Sequence, residues 1–220
     1  MTGLDASVEA RLDQGLAALE IPVDTEQRAR LLGLVGLLHK WNRAYNLTAI
    51  RAPEEMVGRH LLDSAAVLPF VDGPTLLDVG SGPGLPGLVL AILKPSLSVT
   101  LLDSNGKKVR FQRQAVMELG LTNVTPVQAR VEAFAPVDGG YAQVISRAFS
   151  SLGDFVALTT SLVAPDGEWL AMKGPAVEDE LAGLPEEVVV AARHDLEVPF
   201  ASGGRPLVVL RHRPASAARP

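Results

Sequence analysis

The chain contains no cysteine. Disulfides, thiolate metal sites and thiol nucleophiles are excluded together. Its four histidines are scattered, and no carboxylate cluster stands beside them, so no metal is expected. No apolar run is long and charge-free enough to span a membrane. Met1 to Arg11 carries two acids and lacks the apolar stretch of a signal peptide. The expectation is a cytoplasmic protein with neither a membrane nor a metal partner.

What is present is a hydrophobic fraction of 47% in 220 residues, enough for a sizeable core and a prior for one domain with an appendage. The net charge of −5, taken whole, argues against nucleic acid. Its distribution argues otherwise. Arg28, Arg30, Lys40, Arg43, Arg51 and Arg59 face only Glu54 and Glu55 between Arg28 and His60. Lys107, Lys108, Arg110 and Arg113 form a second cluster near Asp103, and Arg205, Arg211, Arg213 and Arg219 a third with no acid. Three basic islands on an acidic body suit an enzyme that touches a polyanion locally. Ordinary solvated faces would give the same pattern from charge alone.

The first seventy residues read as helices. Val8, Leu12, Leu16 and Leu19 have helical spacing, and Pro22 breaks that helix. Asp24 with Gln27 has the form of a capping box opening a second helix to about Tyr45. Gly33 and Gly36 weaken it and mark possible close packing. Pro53 opens a third helix at its first position, ended by Pro69. From Thr75 the pattern changes to strands and helices in alternation. Strands are expected at Thr75–Val79, Ser98–Asp103, Asn123–Gln128, Tyr141–Ser146 and Gly167–Lys173, with Glu187–Ala192 and Pro206–His212 as an antiparallel pair. Helices follow at Leu88–Leu93, Gly106–Leu119 and Leu152–Val163. The expected fold class is α/β: a doubly wound, mostly parallel seven-stranded Rossmann-like sheet with an N-terminal helical cap. The expected division is 1–72 for the cap, 73–213 for the Rossmann-like domain and 214–220 for a disordered tail.

T-L-L-D-V-G-S-G-P-G-L-P-G, from Thr75 to Gly87, is a buried strand, a glycine turn and a helix start. Glycines let backbone approach a ligand, and the helix N-terminus offers unpaired N–H groups. Asp103 ends the second strand, twenty-one residues after Gly82. A carboxylate there accepts from ribose hydroxyls, which NAD and S-adenosylmethionine both carry. Asp78 discriminates further. A carboxylate on the floor of the turn would repel a pyrophosphate but suits the positive amino-acid end of S-adenosylmethionine, directly or through water. No G-K-[ST] follows the glycines, which excludes a Walker-type phosphate loop.

Several segments together resemble one family, the 16S ribosomal RNA guanine-N7 methyltransferases once called glucose-inhibited division protein B. They are W-N-x-x-Y-N-L-T (Trp41 to Thr48), R-H-L-L-D-S (Arg59 to Ser64), the glycine stretch, L-L-D-S-N-G-K-K-V-R-F (Leu101 to Phe111), A-R-V-E-A-F (Ala129 to Phe134), I-S-R-A-F (Ile145 to Phe149) and M-K-G (Met172 to Gly174). The resemblance implies the class I S-adenosylmethionine-dependent methyltransferase fold and S-adenosylmethionine contacts at Gly80, Leu85, Val131, Glu132 and Arg147. Asp78 and Gly82 are added from the turn itself, and Asp103 from the end of the second strand. It also implies a substrate, one guanine of 16S rRNA (guanine 527 in the usual rRNA numbering), on the small ribosomal subunit or its assembly intermediate. The C-terminal strands match only loosely, and no role is carried over from them.

Each assignment has a plainer counterpart. Glu132 is also a first-turn helix acid, and Arg147 and Lys173 are also solvated strand ends. Asn46, Arg59, His60, Asp63 and Lys173 are the expected RNA contacts; Asn46 and Thr48 could equally cap turns, and His60 and Asp63 pair along a helix.

Guanine N7 has a free lone pair and no proton to lose, so methyl transfer to it requires placement rather than a general base. The chain agrees: it has no cysteine for covalent attack on a pyrimidine, and no N/D-P-P-Y/F after the fourth strand. Arginine commonly reads guanine through O6 and N7 together, which would cover the nucleophile. Arg147 and Lys173 are therefore expected to reach O6 alone or the phosphates. Two other readings stay open: a methyltransferase acting on a small molecule or protein, and a non-enzymatic RNA-binding assembly factor.

Overall fold

The computed structural model describes residues 4–135, 138–147, 149 and 151–214. The expected tail, from residue 215 onward, lies outside them.

The cap begins with α1 (Ala6–Ala18) and α2 (Thr25–Tyr45). Asp24 caps α2 as its sequence predicts: its side chain accepts from the Gln27 amide at 2.7 Å, and the Gln27 side chain accepts from the Asp24 amide at 3.0 Å. The same Gln27 amide group donates to the Ile92 and Leu93 carbonyls at 3.2 and 3.1 Å, tying the cap to the end of the first sheet-domain helix. Asp24→Ala is expected to lower stability by about 1 kcal/mol; urea unfolding checks it.

The third expected helix forms, but not as one regular element. α3 (Pro53–Met56) passes into a π-helical turn, Val57–Leu62, and then into α4 (Asp63–Ala65). π-turns are rare and recur at functional sites. This one carries Arg59 and His60.

β1 (Thr75–Val79), α5 (Gly87–Leu93), β2 (Ser98–Asp103), α6 (Gly106–Glu118), β3 (Val124–Gln128), β4 (Tyr141–Ser146), α7 (Leu152–Thr159), β5 (Val163–Met172), the short α8 (Glu178–Leu181), β6 (Val188–Asp195) and β7 (Pro206–His212) follow. They build one seven-stranded sheet in the order β3-β2-β1-β4-β5-β7-β6. Six strands run in one direction; β7 runs antiparallel to both its neighbours, β5 and β6. The expected strands all form, and β5 and β6 run longer than predicted. α8 was not predicted.

Cap and sheet are not separately cored. Leu12, Leu34, Leu38 and Met56 of the cap share one buried apolar cluster with Leu88, Leu90 and Ile92 of α5 and Leu101 of β2. Gly33 fulfils the close-packing expectation: a Cβ there would lie 2.8 Å from Leu119 Cδ2, past the end of α6. The order reverses at β1, whose neighbours are β2 and β4. A doubly wound sheet opens its binding crevice at that switch, above the carboxyl ends of the strands.

Candidate active site

The glycine turn is held from three sides. From β2, the Leu102 carbonyl accepts from the Gly80 and Ser81 amides at 2.9 and 3.1 Å. Asp103 accepts from the Gly82 amide at 2.8 Å and from the Asn105 amide at 2.7 Å, one on each carboxylate oxygen. From α6, the buried Gln112 donates to Ser81 Oγ at 2.9 Å and the Gly82 carbonyl at 2.7 Å. Gly80, Gly82 and Gly84 have φ of 67, 59 and 86°, the left-handed region that side chains disfavour.

Asp78 holds the turn from beneath. It is fully buried, and Oδ2 accepts from the Gly87 amide at 2.8 Å; Oδ1 has no hydrogen-bond partner among the described residues. A Cβ on Gly87 would sit 2.3 Å from Leu101 Cδ2 and 2.9 Å from Asp78 Oδ2. The side chain expected at the floor of the turn is thus enclosed under it. Burial pushes its carboxyl up to about 7, against the pull of the Gly87 amide.

A cleft of about 500 Å³ lies above the turn, lined by Gly80, Asp103, Asn105, Lys108, Val131, Glu132, Phe149 and Leu158, among others. Of the expected cofactor residues, Gly80, Asp103, Val131 and Glu132 meet there. Gly82 and Leu85 are buried in the turn behind it, and Arg147 lies in the adjoining cavity. That second cavity, about 250 Å³, is lined by Asp63, Arg147, Phe149, Met172, Lys173, Gly174 and Arg205, among others. Phe149 belongs to both. A larger groove of about 820 Å³, between α2 and the C-terminal end of α6, contains none of the expected site residues.

The second cavity is built around an ion-pair network. Asp63, 7% exposed, accepts from Arg147 Nη1 at 3.1 Å and pairs with Arg205 Nε at 3.3 Å. Lys173 pairs with Glu180 at 2.8 Å and donates to the Phe149 carbonyl at 3.0 Å. The sequence reading placed no role on Arg205. The signal was topological: antiparallel pairing of β7 with β5 sets Leu207 beside Met172, which brings Arg205 to the same rim as Lys173.

The expected cap residues divide. His60 does not pair with Asp63. Its Nδ1 lies 3.1 Å from the Arg59 carbonyl, which can only accept, so Nδ1 carries the proton. Nε2 then accepts from the Thr48 hydroxyl at 2.8 Å. The π-turn changes the offset along the helix, and Asp63 turns to the arginines. Burial, reinforced by Arg147, pushes the imidazole down to about 4. Arg59 is exposed. Asn46 is exposed and ends α2 in the left-handed region, φ 50°, the capping role the sequence allowed.

Asp78 and His60 oppose one another in pH dependence. Between about pH 4 and 6.5 the folded chain holds an extra proton on Asp78, and the unfolded chain holds one on His60. Stability from Asp78 falls as pH rises through this window, and stability from His60 rises. Asp78→Asn should therefore gain stability relative to the parent as pH goes from about 4 to 7, and His60→Gln should lose it from about 4 to 6.5. Urea unfolding across that range checks both; profiles parallel to the parent would contradict the assignments.

The basic islands also separate. Arg28 pairs with Glu9 and Asp13, Arg30 with Glu26, Arg205 with Asp63 and Arg211 with Glu168. Lys40, Arg43, Arg51, Arg59, Lys107, Lys108, Arg110 and Arg113 have no ion-pair partner among the described residues. Most of the islands' uncompensated charge lies on the cap and α6, with Arg213 held only by the Glu186 carbonyl.

Strand order and a glycine turn at the switch point define a class I S-adenosylmethionine-dependent methyltransferase fold. Solved structures agree: the ribosomal protein L11 methylase from Lactobacillus delbrueckii subsp. bulgaricus has a TM-score of 0.51 at 17% identity, covering 69% of this chain and 77% of that one. A SAM dependent methyltransferase from Aquifex aeolicus has a TM-score of 0.50 at 20% identity, covering 68% and 89%. At such identities the likeness establishes the fold. The sequence model of the rRNA small subunit methyltransferase G family matches residues 27–209, and the chain belongs to that family and is a methyltransferase. It is 65% identical over 203 residues to the Ribosomal RNA small subunit methyltransferase G of Chromohalobacter salexigens, covering 92% of this chain and 97% of that one. To the protein of the same name in Pseudomonas aeruginosa it is 50% identical over 201 residues, covering 91% and 94%. No helix among the described residues is long and apolar enough to cross a membrane.

Proposed function

We propose that this methyltransferase uses S-adenosylmethionine to methylate N7 of one guanine of 16S rRNA, guanine 527 in the usual numbering, on the small ribosomal subunit or an assembly intermediate. The observation that carries the reading is the junction of the two cavities at Phe149: a cleft suited to a nucleoside opens beside a basic cavity suited to a base.

The residues of the cleft fit S-adenosylmethionine. Val131 and Leu158 offer apolar faces to an adenine. The Asp103 oxygens each hold one amide and keep acceptor capacity for ribose hydroxyls. Exposed Gly80 lets the backbone meet the ligand directly. Asp78, enclosed under the turn, supports it through the Gly87 amide. When bound, the cofactor supplies an electrophilic methyl group to the N7 lone pair, and no base is needed.

The chain's own contribution is placement. Asp63 holds the Arg147 guanidinium, and Glu180 with the Phe149 carbonyl holds the Lys173 ammonium. Both cations can then donate to guanine O6 or to phosphates while N7 stays clear. Phe149 lines both cavities at their junction. Asn46, Arg59, His60 and Asp63 form the cap side of the RNA approach; His60 and Asp63 act by position, since both are buried. The unpaired cations of the cap and α6 suit a phosphate backbone, which favours RNA over a small molecule or protein.

The test is radiolabelled methyl transfer with small subunits and deproteinised 16S RNA from cells lacking the protein. The proposal expects label in 16S RNA with one of these substrates. Absence of label with both, alongside calorimetry failing to detect cofactor binding, would return the chain to a non-enzymatic role.

A further inference from the structure

The segment W-N-x-x-Y-N-L-T contains more than the RNA approach has used. Its first asparagine is structural: buried Asn42 donates from Nδ2 to the Ile50 carbonyl at 2.9 Å, and its Oδ1 accepts from the Thr48 amide at 2.9 Å. That side chain folds the loop after α2 back against the helix. The aromatics remain unexplained. Trp41 and Tyr45, one helical turn apart, stack with ring centroids 5.2 Å apart and planes at 28°. Trp41 is fixed from behind by the edge of the fully buried Phe111 of α6, at 5.8 Å. Tyr45 is 36% exposed. It is the last residue of α2, and Asn46 turns the chain away in the left-handed region, so no further helical turn covers the ring.

Cations stand on both helices that carry these rings. Lys40 and Arg43 share the helix of the stacked pair, and Lys107 and Arg110 lie on α6 with Phe111; all four are exposed and form no ion pair among the described residues. α2 and α6 run antiparallel: Arg30, near the start of α2, reaches the Gly120 carbonyl beyond the end of α6. The aromatic pair therefore lies toward the end of α6 that begins beside Asp103. A rigid aromatic face among uncompensated cations is how proteins hold unpaired nucleotides.

We propose that Tyr45, backed by Trp41 and Phe111, is a stacking platform for an unpaired base of the RNA substrate outside the methyl-transfer cavity, with Lys107 and Arg110 of α6 on the adjoining phosphates. The proposal rests on the RNA-methyltransferase reading. It assigns the platform to substrate binding, separate from cofactor binding and from the chemical step.

The test uses the full chain and small subunits from cells lacking it. Tyr45→Leu keeps an apolar cover on Trp41 and removes the ring; Tyr45→Phe keeps the ring. Tyr45→Leu should raise KM for subunits about tenfold or more, with kcat and the cofactor Kd unchanged, and Tyr45→Phe should match the parent. Lys107→Glu with Arg110→Glu should flatten the salt dependence of KM, whereas the Tyr45→Leu effect should persist across salt. Parental KM in Tyr45→Leu would overturn the platform alone, as would an equal loss in Tyr45→Phe. A parent chain that leaves both subunits and free 16S RNA unmethylated would overturn the underlying reading and the platform with it.

Discussion

Replacing Lys173 or Arg147 by alanine is expected to slow single-turnover methylation at saturating RNA by about 100-fold, the loss typical of one aligned donor at a reacting centre. The fold should survive either change. Glu180 keeps a partner when Lys173 is cut back, because it also accepts from the Leu152 amide at 2.8 Å. Asp63 keeps Arg205 when Arg147 is lost. If these cations place the base, the deficit lies in the chemical step, and cofactor affinity changes far less. Arg147→Lys restores charge but not the forked geometry, so it should recover only part of the rate. Rapid-quench methyl transfer with pre-bound cofactor reads this directly; unchanged rates in both alanine variants would remove the two residues from the site.

Asp103→Ala is expected to weaken S-adenosylmethionine binding by about two orders of magnitude or more. Two losses combine. Acceptors for the ribose hydroxyls disappear, and the Gly82 and Asn105 amides lose their partner. The Gly82 amide is buried, and an orphaned buried donor costs about 1–3 kcal/mol, so stability falls with affinity. Asp103→Asn separates the two, since its carbonyl can still accept from one amide. Calorimetry with urea unfolding distinguishes them: parental affinity in Asp103→Ala would mean the carboxylate only shapes the loop.

The parts of the molecule legible from sequence are those whose determinants are local. The capping box of α2, the βα alternation and the glycine turn each depend on neighbours within a few residues. Asp103 was legible because a strand end at the switch point has a fixed relation to the turn. Asp78 was half legible. Its position under the turn follows from the motif, but its enclosure depends on the Gly87 backbone closing over it.

The basic cavity was less accessible to such reasoning. Asp63, Arg147 and Arg205 come from the cap, the end of β4 and the start of β7, and only the sheet order brings them together. Helical spacing suggested that His60 and Asp63 pair, and the π-turn at Val57–Leu62 defeats that rule because it alters the offset on which the rule depends. Charge counting found three basic islands, whereas the structure neutralises Arg205 and Arg211 of the third and leaves much of the first two uncompensated. Net charge is additive along a chain; ion pairing is not.

The central claim, that this chain methylates one guanine of 16S rRNA at N7, is tested most directly in the RNA itself. Nucleotide-resolution mapping of 16S RNA from cells with and without the protein should show one N7-methylguanine missing from the second sample and restored by the parent chain, but not by Asp103→Ala. An unchanged set of 16S modifications in cells lacking the protein would contradict the account.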